Sequence, residues 1–422
     1  MHSSLDSTST TIDAAHAPVA SHAPAIQART AEIVATAKRI LRDLVAFPTI
    51  SRQPNLPLIT YIRDYLESQG ITSRLVAHAD GTRANLYATI GPTDRGGICL
   101  SGHADVVPVT GQPWTSDPFT LIERDGLLVG RGAADMKGYI ACVLACVPFF
   151  KDTINAIPLH IAVSYDEEIG CVGIRDLLAE LAVDAAKPIG CIIGEPTGMR
   201  VAMAHKGKHS YRCGVRGLAG HSSQPETGVN AIEYAAELVS HLRGIGAGIR
   251  RDGPFNDAFA PSYTTIQTGT IRGGVAVNVV PDQCDFDFEI RYLPEDSADT
   301  HVAKLKAFAL KQLLADMQAT YNGADIAFTQ LSAYPGLRND NDAPARQLKS
   351  LCSHALGFAA LADHTVAFGT EGGLYQEIGV PTLICGPGSI DQAHKADEFV
   401  AISQMEACCV FLQRLANGLA RD

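Results

Sequence analysis

Residues 138–194 read GYIACVLACVPFFKDTINAIPLHIAVSYDEEIGCVGIRDLLAELAVDAAKPIGCIIG, and this stretch decides the fold. A helix over 138–150 leads to a buried-type strand at 159–164, then a helix over 171–181 and an apolar strand at 190–194. Such alternation predicts an α/β unit with a mostly parallel sheet and flanking helices. Working outward, Ile33, Ala37, Ile40, Leu41 and Leu44 have helical spacing, and a second helix around Leu58, Ile62 and Leu66 ends at Gly70. Short β-rich runs follow at 71–77, 85–90 and 97–102, separated by Gly, Pro and Asp. The same pattern returns near the C-terminus, with helices over 343–356 and 402–419 around a strand at 381–385.

Between these blocks the pattern changes. Segment 209–216 alternates, 230–242 is helical, 264–271 and 284–292 are strands, 300–317 is helical and 325–331 is a strand. That β-α-β-β-α-β order describes a two-layer α+β sandwich of the ferredoxin-like kind. The expected division is therefore 28–206 with 334–422 as one domain, 207–333 as an inserted one, and 1–27 as a disordered tail.

The gross numbers narrow the function. A net charge of −11 over 422 residues argues against a nucleic-acid partner. Apolar runs such as 140–150 are far shorter than the roughly 20 residues that span a bilayer, so no membrane association is expected. Residues 1–27 lack Lys and Arg and have no apolar stretch, which fits neither a secretory nor a mitochondrial signal. Eleven scattered cysteines, none in a C-x-x-C pair, suit free thiols in a reducing cytoplasm. Cys408 and Cys409, on an apolar helix pattern, read as core.

Acids and histidines fall where α/β sheets gather ligands, beyond the carboxyl ends of strands. His103 and Asp105 follow ICLSG; Asp135 lies in GRGAADMKG; Glu167 and Glu168 follow IAVSY; Glu195 ends CIIGEPT; His394 follows PTLIC by way of GPGSIDQAH. Imidazoles and carboxylates with an open position for water are the donor set of a two-zinc site. Asp135, on a tight turn before a helix, suits a carboxylate shared by two ions. One ion then adds His103 and Glu195, the other Glu168 and His394. Glu167 and its neighbour Glu168 point differently, which leaves Glu167 to face the water as general base. Amide cleavage needs such a site, because water has to be acidified from a pKa near 15.7 to about 7 to attack at neutral pH. Asp105, two residues past His103, can accept the second ring N–H and fix the ring's orientation.

The runs SGHADVVPV, GRGAADMKG, DEEIG, GEPT, GHSSQP and NVVP resemble the co-catalytic zinc deacylases and exopeptidases, a family that includes carboxypeptidase G, aminoacylase, succinyl-diaminopimelate desuccinylase and acetylornithine deacetylase. The resemblance spans roughly residues 30–420. Spacing agrees, since 135 − 103 = 32 and 167 − 135 = 32. It implies a zinc-exopeptidase-like catalytic domain binding two Zn²⁺ (Co²⁺ or Mn²⁺ can substitute), a lid that makes a homodimer, and a cis peptide after Asp135. The run AFGTEGGLYQEIGVPTLICGPGSIDQAHKADEFV is similar to the acetylornithine deacetylase branch. By that likeness the substrate is a small N-acyl amino acid, N2-acetyl-L-ornithine. His221 would polarise the scissile carbonyl in the partner subunit's site, and Asn278 and Arg291 would contact substrate oxygens. Glu371 is expected to face the substrate's cationic amine. His160, His205, His209 and His364 match no motif position and read as structural. Two other readings remain: another deacylase such as a succinyl-diaminopimelate desuccinylase, or a metallo-dipeptidase or carboxypeptidase, and, from a different class, a non-catalytic binding protein on a hydrolase scaffold.

Overall fold

The computed structural model describes residues 24–339 and 342–420. Its large sheet has six strands in the order Ser73–Ala77, Ala84–Ile90, Leu159–Ser164, Ile98–His103, Gly190–Pro196, Thr382–Gly386. The last four run parallel to one another, and Ala84–Ile90 joins them antiparallel. Alternate side chains of these strands enter two separate cores. Leu100, Ile161 and Ile192 pack with the helices Pro24–Val45, Lys137–Thr153 and Ile402–Leu419, while Cys99, Ala162 and Ile193 pack with Ile174–Ala182 and the short helix Gly372–Glu377. Burial on both faces is why these strands read as unbroken apolar runs.

Four antiparallel strands form a second sheet, ordered Thr265–Gly273, Gln283–Tyr292, Gly207–Arg216, Asp325–Tyr334. Helices Ala231–Asp252 and Ala298–Phe308 share a separate core with it. The chain enters this unit at Gly207 and leaves at Tyr334 on neighbouring strands, with Lys208 opposite Tyr334.

Several boundaries differ from expectation for local reasons. The first helix begins at Pro24, where a missing N–H costs nothing in the first turn, so 24–27 are helical; the rest of the expected tail lies outside the described residues. The helix expected from residue 171 starts at Ile174, because Gly170 and Cys171 have φ of 117° and 54° and turn the chain first. The helix expected over 230–242 continues to Asp252 through three glycines, since Ile249 is buried beyond them. Small three-stranded and two-stranded sheets, including Ile122–Arg124 with Leu127–Val129 and Phe399–Ala401, had no sequence signal. All eleven cysteines are free and buried, Cys408 and Cys409 among them. No described helix is long and apolar enough to cross a membrane.

His160 and His205 are both in the interior. His160 Nε2 accepts the Gly97 N–H at 3.0 Å and its Nδ1 lies 3.0 Å from Thr89 Oγ1. Burial pushes each imidazole down to about 4, against about 6.5 in an unfolded chain. Between those values the unfolded chain binds protons that the folded one does not, so stability falls as pH drops from 6.5 towards 4. The urea midpoint is expected to be lower at pH 5 than at pH 7, with a smaller difference in His160→Gln; an equal difference would assign the acid sensitivity to other groups.

Candidate metal centre

The five residues singled out as ligands converge beyond the carboxyl ends of the parallel strands. His103 closes its strand, Glu195 is next to last in Gly190–Pro196, and Glu168 stands four residues past Ser164. Asp135 precedes the helix Lys137–Thr153, across a cis peptide to Met136. His394 sits in the loop after Thr382–Gly386 with a left-handed φ of 62°.

Asp135 lies between the two imidazoles and shows each a different oxygen: Oδ1 is 3.0 Å from His103 Nε2 and Oδ2 is 3.3 Å from His394 Nε2. Glu195 is on the His103 side, 3.7 Å from Nε2, and Glu168 on the His394 side, at 2.9 Å. Ligand atoms of His103, Asp135 and Glu168 all fall within 4.8 Å of one another, as do those of His103, Glu167 and Glu195.

Among the described residues, no Lys or Arg pairs with Asp135, Glu168 or Glu195, so His103 and His394 are their nearby basic groups. Burial lifts Glu167 to about 8 and Glu168 to about 7, and with Asp135 it holds Glu195 well above the carboxylate range. Burial alone would lower His103, but the carboxylates of Asp105 and Asp135 hold it well above its usual value. Hydrogen bonds to Asp135 and Glu168 raise His394 to about 10. Two imidazoles and three carboxylates converging on one place, with Asp135 between the two imidazoles, are a donor set that fits metal.

Asp105 differs from expectation. The nearer acceptor for His103 Nδ1 is the Asp105 main-chain carbonyl at 2.9 Å, with the carboxylate at 3.5 Å. That carboxylate instead takes the N–H groups of Glu167 and Glu168, at 3.0 and 3.3 Å, and the Ser51 hydroxyl at 2.7 Å. It fastens the loop carrying the base as well as standing near the ring.

Glu371, expected to face the substrate's amine, is enclosed in the protein. It is 1% exposed. Burial raises it to about 7, with the Ser164 hydroxyl and His103 opposing. Its charge acts on Glu167, and that of His103 on it, so it belongs to the same buried cluster. Arg291 donates to Glu289 at 2.7 Å and to the Tyr334 hydroxyl at 3.1 Å, and Glu167 is among the charges that raise it. His221 and Asn278 share an exposed corner of the inserted unit, where the strands Gly220–His221 and Val279–Val280 pair. His221 Nδ1 is 2.8 Å from Ser223 Oγ, and the Asn278 carbonyl accepts Ser222 N–H. Among the described residues, no hydrogen bond or ion pair joins either to the cluster.

A brace behind the ligands had no assigned role from sequence. Glu398 Oε1 accepts the N–H groups of Ala134 and Asp135, both at 3.0 Å, and Oε2 takes Arg131 Nη1 at 2.6 Å. Arg131 also donates to Gln112, under the Trp114 ring, and Gln112 donates to the His394 carbonyl at 2.9 Å. One chain of bonds thus connects Asp135 to His394. Its only trace in the sequence is that Arg131 and Glu398 sit inside motifs quoted for their neighbours.

The sequence profile of peptidase family M20/M25/M40 matches residues 99–418. The chain belongs to this family. Among curated relatives, the acetylornithine deacetylase of Proteus mirabilis (strain HI4320) is 35% identical over 379 residues, covering 87% of this chain and 92% of its own length. That of Shigella sonnei (strain Ss046) is 36% identical over 369 residues, covering 86% and 92%. Among solved structures, the M20 metallo-carboxypeptidase Sso-CP2 of Sulfolobus solfataricus superposes with a TM-score of 0.74 at 16% identity, over 91% of this chain and 99% of that one. The chain is accordingly a metal-dependent M20 hydrolase acting on an amide bond, with the family's α/β fold.

Proposed function

We propose that this M20 enzyme removes the acetyl group from N2-acetyl-L-ornithine, giving L-ornithine and acetate as in arginine biosynthesis, with two Zn²⁺ ions in the cluster. The observation that carries the reading is near full-length likeness to two acetylornithine deacetylases. In support, the donors divide about Asp135 into two sets, His103 with Glu195 and His394 with Glu168. Two bound ions supply Lewis acidity at the acyl carbonyl and make water acidic enough to attack at neutral pH. Glu167, beside His103, takes the proton from the attacking water and delivers it to the leaving nitrogen. Arg291, whose charge reaches Glu167, binds the substrate's carboxylate.

The unit 207–333, with its 2-3-1-4 order of antiparallel strands, is read as a ferredoxin-like lid through which two copies pair. His221 and Asn278, exposed and unconnected to their own cluster, then serve the partner's site in a cytoplasmic homodimer. Mixing inactive His221→Ala with inactive Glu167→Gln is expected to restore activity, because one site of each mixed dimer has both groups. No recovery after subunit exchange would remove His221 from the partner's site.

A purified, zinc-loaded enzyme assayed on acetylornithine, succinyl-diaminopimelate, acetylmethionine and a dipeptide panel tests the substrate. Acetylornithine turnover far below that of another member would overturn the assignment in favour of that substrate.

A further inference from the structure

The Glu167 carboxylate receives one hydrogen bond from the described residues, and its donor is a thiol. Cys171 Sγ lies 3.3 Å from Glu167 Oε1. The contact is built into the loop. Gly170 and Cys171 both donate their N–H groups to the Glu167 carbonyl, at 2.8 and 2.7 Å, which closes a tight turn and brings the thiol back over the side chain it follows by four residues. That turn needs the left-handed φ values of both residues. It is also held from outside, since a Cβ on Gly170 would come within 2.5 Å of Ser332 Cβ on the inserted unit's edge strand. Cys171 is fully buried, and burial next to Glu167 keeps the sulfur as S–H.

A carboxylate's last torsion is broad and nearly two-fold, so an unbonded Glu167 would exchange its two oxygens beside the ligand cluster. A donor on one oxygen ends that equivalence. We propose that Cys171 is a positioning residue for the general base: its thiol holds Oε1, so that Oε2 is the oxygen presented to the attacking water. This rests on reading Glu167 as the base. The thiol neither touches substrate nor changes its bonding during turnover; it acts on how often the carboxylate is aimed productively, an effect on kcat and not on substrate binding.

Three variants of the full-length, zinc-loaded enzyme test this: Cys171→Ala, Cys171→Ser and Glu167→Gln. Losing a hydrogen bond of this class corresponds to about tenfold in rate, so Cys171→Ala should lower kcat by about that factor. KM, bound zinc and the melting temperature should stay at wild-type values. Cys171→Ser keeps a donor and should recover most of the loss. The wild-type minus Cys171→Ala infrared difference should contain an S–H stretching band at a hydrogen-bonded frequency, which moves when Glu167→Gln is the background. Wild-type kcat in Cys171→Ala, or Cys171→Ser as slow as Cys171→Ala, overturns the positioning role. Retained turnover in Glu167→Gln overturns the base itself and the proposal with it, whereas an inactive Glu167→Gln beside a fully active Cys171→Ala sinks only the role of the thiol.

Discussion

Glu167→Gln is expected to lower kcat by about a thousandfold, the usual scale for removing a general base, with two metal ions still bound and KM little changed. The substitution keeps the size of the side chain and the Glu167 N–H bond to Asp105, so the loop stays in place. What it removes is a proton acceptor in a setting where burial already favours holding a proton: the carboxyl is raised to about 8, with Glu168 and Glu371 adding to the push and His103 opposing. Metal analysis separates this from the competing geometry, in which Glu167 joins His103 and Glu195 as a ligand. Loss of one ion on substitution would make it a ligand and leave the base to be found elsewhere.

Glu398→Ala is expected to cost about 3–5 kcal/mol of folding stability, the range for breaking a buried ion pair by deleting one partner. Arg131 and Glu398 are each 1% exposed at the side chain, so the guanidinium left behind cannot reach water. The N–H groups of Ala134 and Asp135 lose their acceptor in the same step. Because Asp135 hangs on that bond, zinc affinity should fall alongside the urea midpoint. Glu398→Gln retains an oxygen for the two N–H groups and should lose less of both. A Glu398→Ala protein with unchanged midpoint and zinc content would show that the brace carries no energy.

Convergence of four candidate ligands was legible because His103, Glu168, Glu195 and His394 each end or follow an apolar run that marks a parallel strand, and parallel strands deliver their carboxyl ends to one edge; Asp135 was legible only as an acid on a turn before a helix. The bonds that aim them were not. Asp105 was read by its spacing from His103, yet its carboxylate is drawn to the main-chain N–H groups of Glu167 and Glu168 on a different strand end. Gln112, Arg131 and Glu398 meet across 286 residues of chain (398 − 112), where no period connects them. Glu371 was judged by the charge of an expected substrate, while its place before the helix at Gly372 leaves it buried and within reach of the His103 charge. The Cys171 contact depends on two left-handed residues in succession, and a pattern that looked like the start of a helix concealed them.

Lys208 and Tyr334 stand opposite each other where the inserted unit begins and ends. A short turn of the hairpin type could therefore replace 207–333 and close the remaining polypeptide on itself, with His103, Asp135, Glu168, Glu195 and His394 all retained. Covalently the unit is separable at this two-strand seam: with it excised, all five candidate ligands stay on one polypeptide, so ion loading could be measured apart from turnover and different caps grafted at the same place.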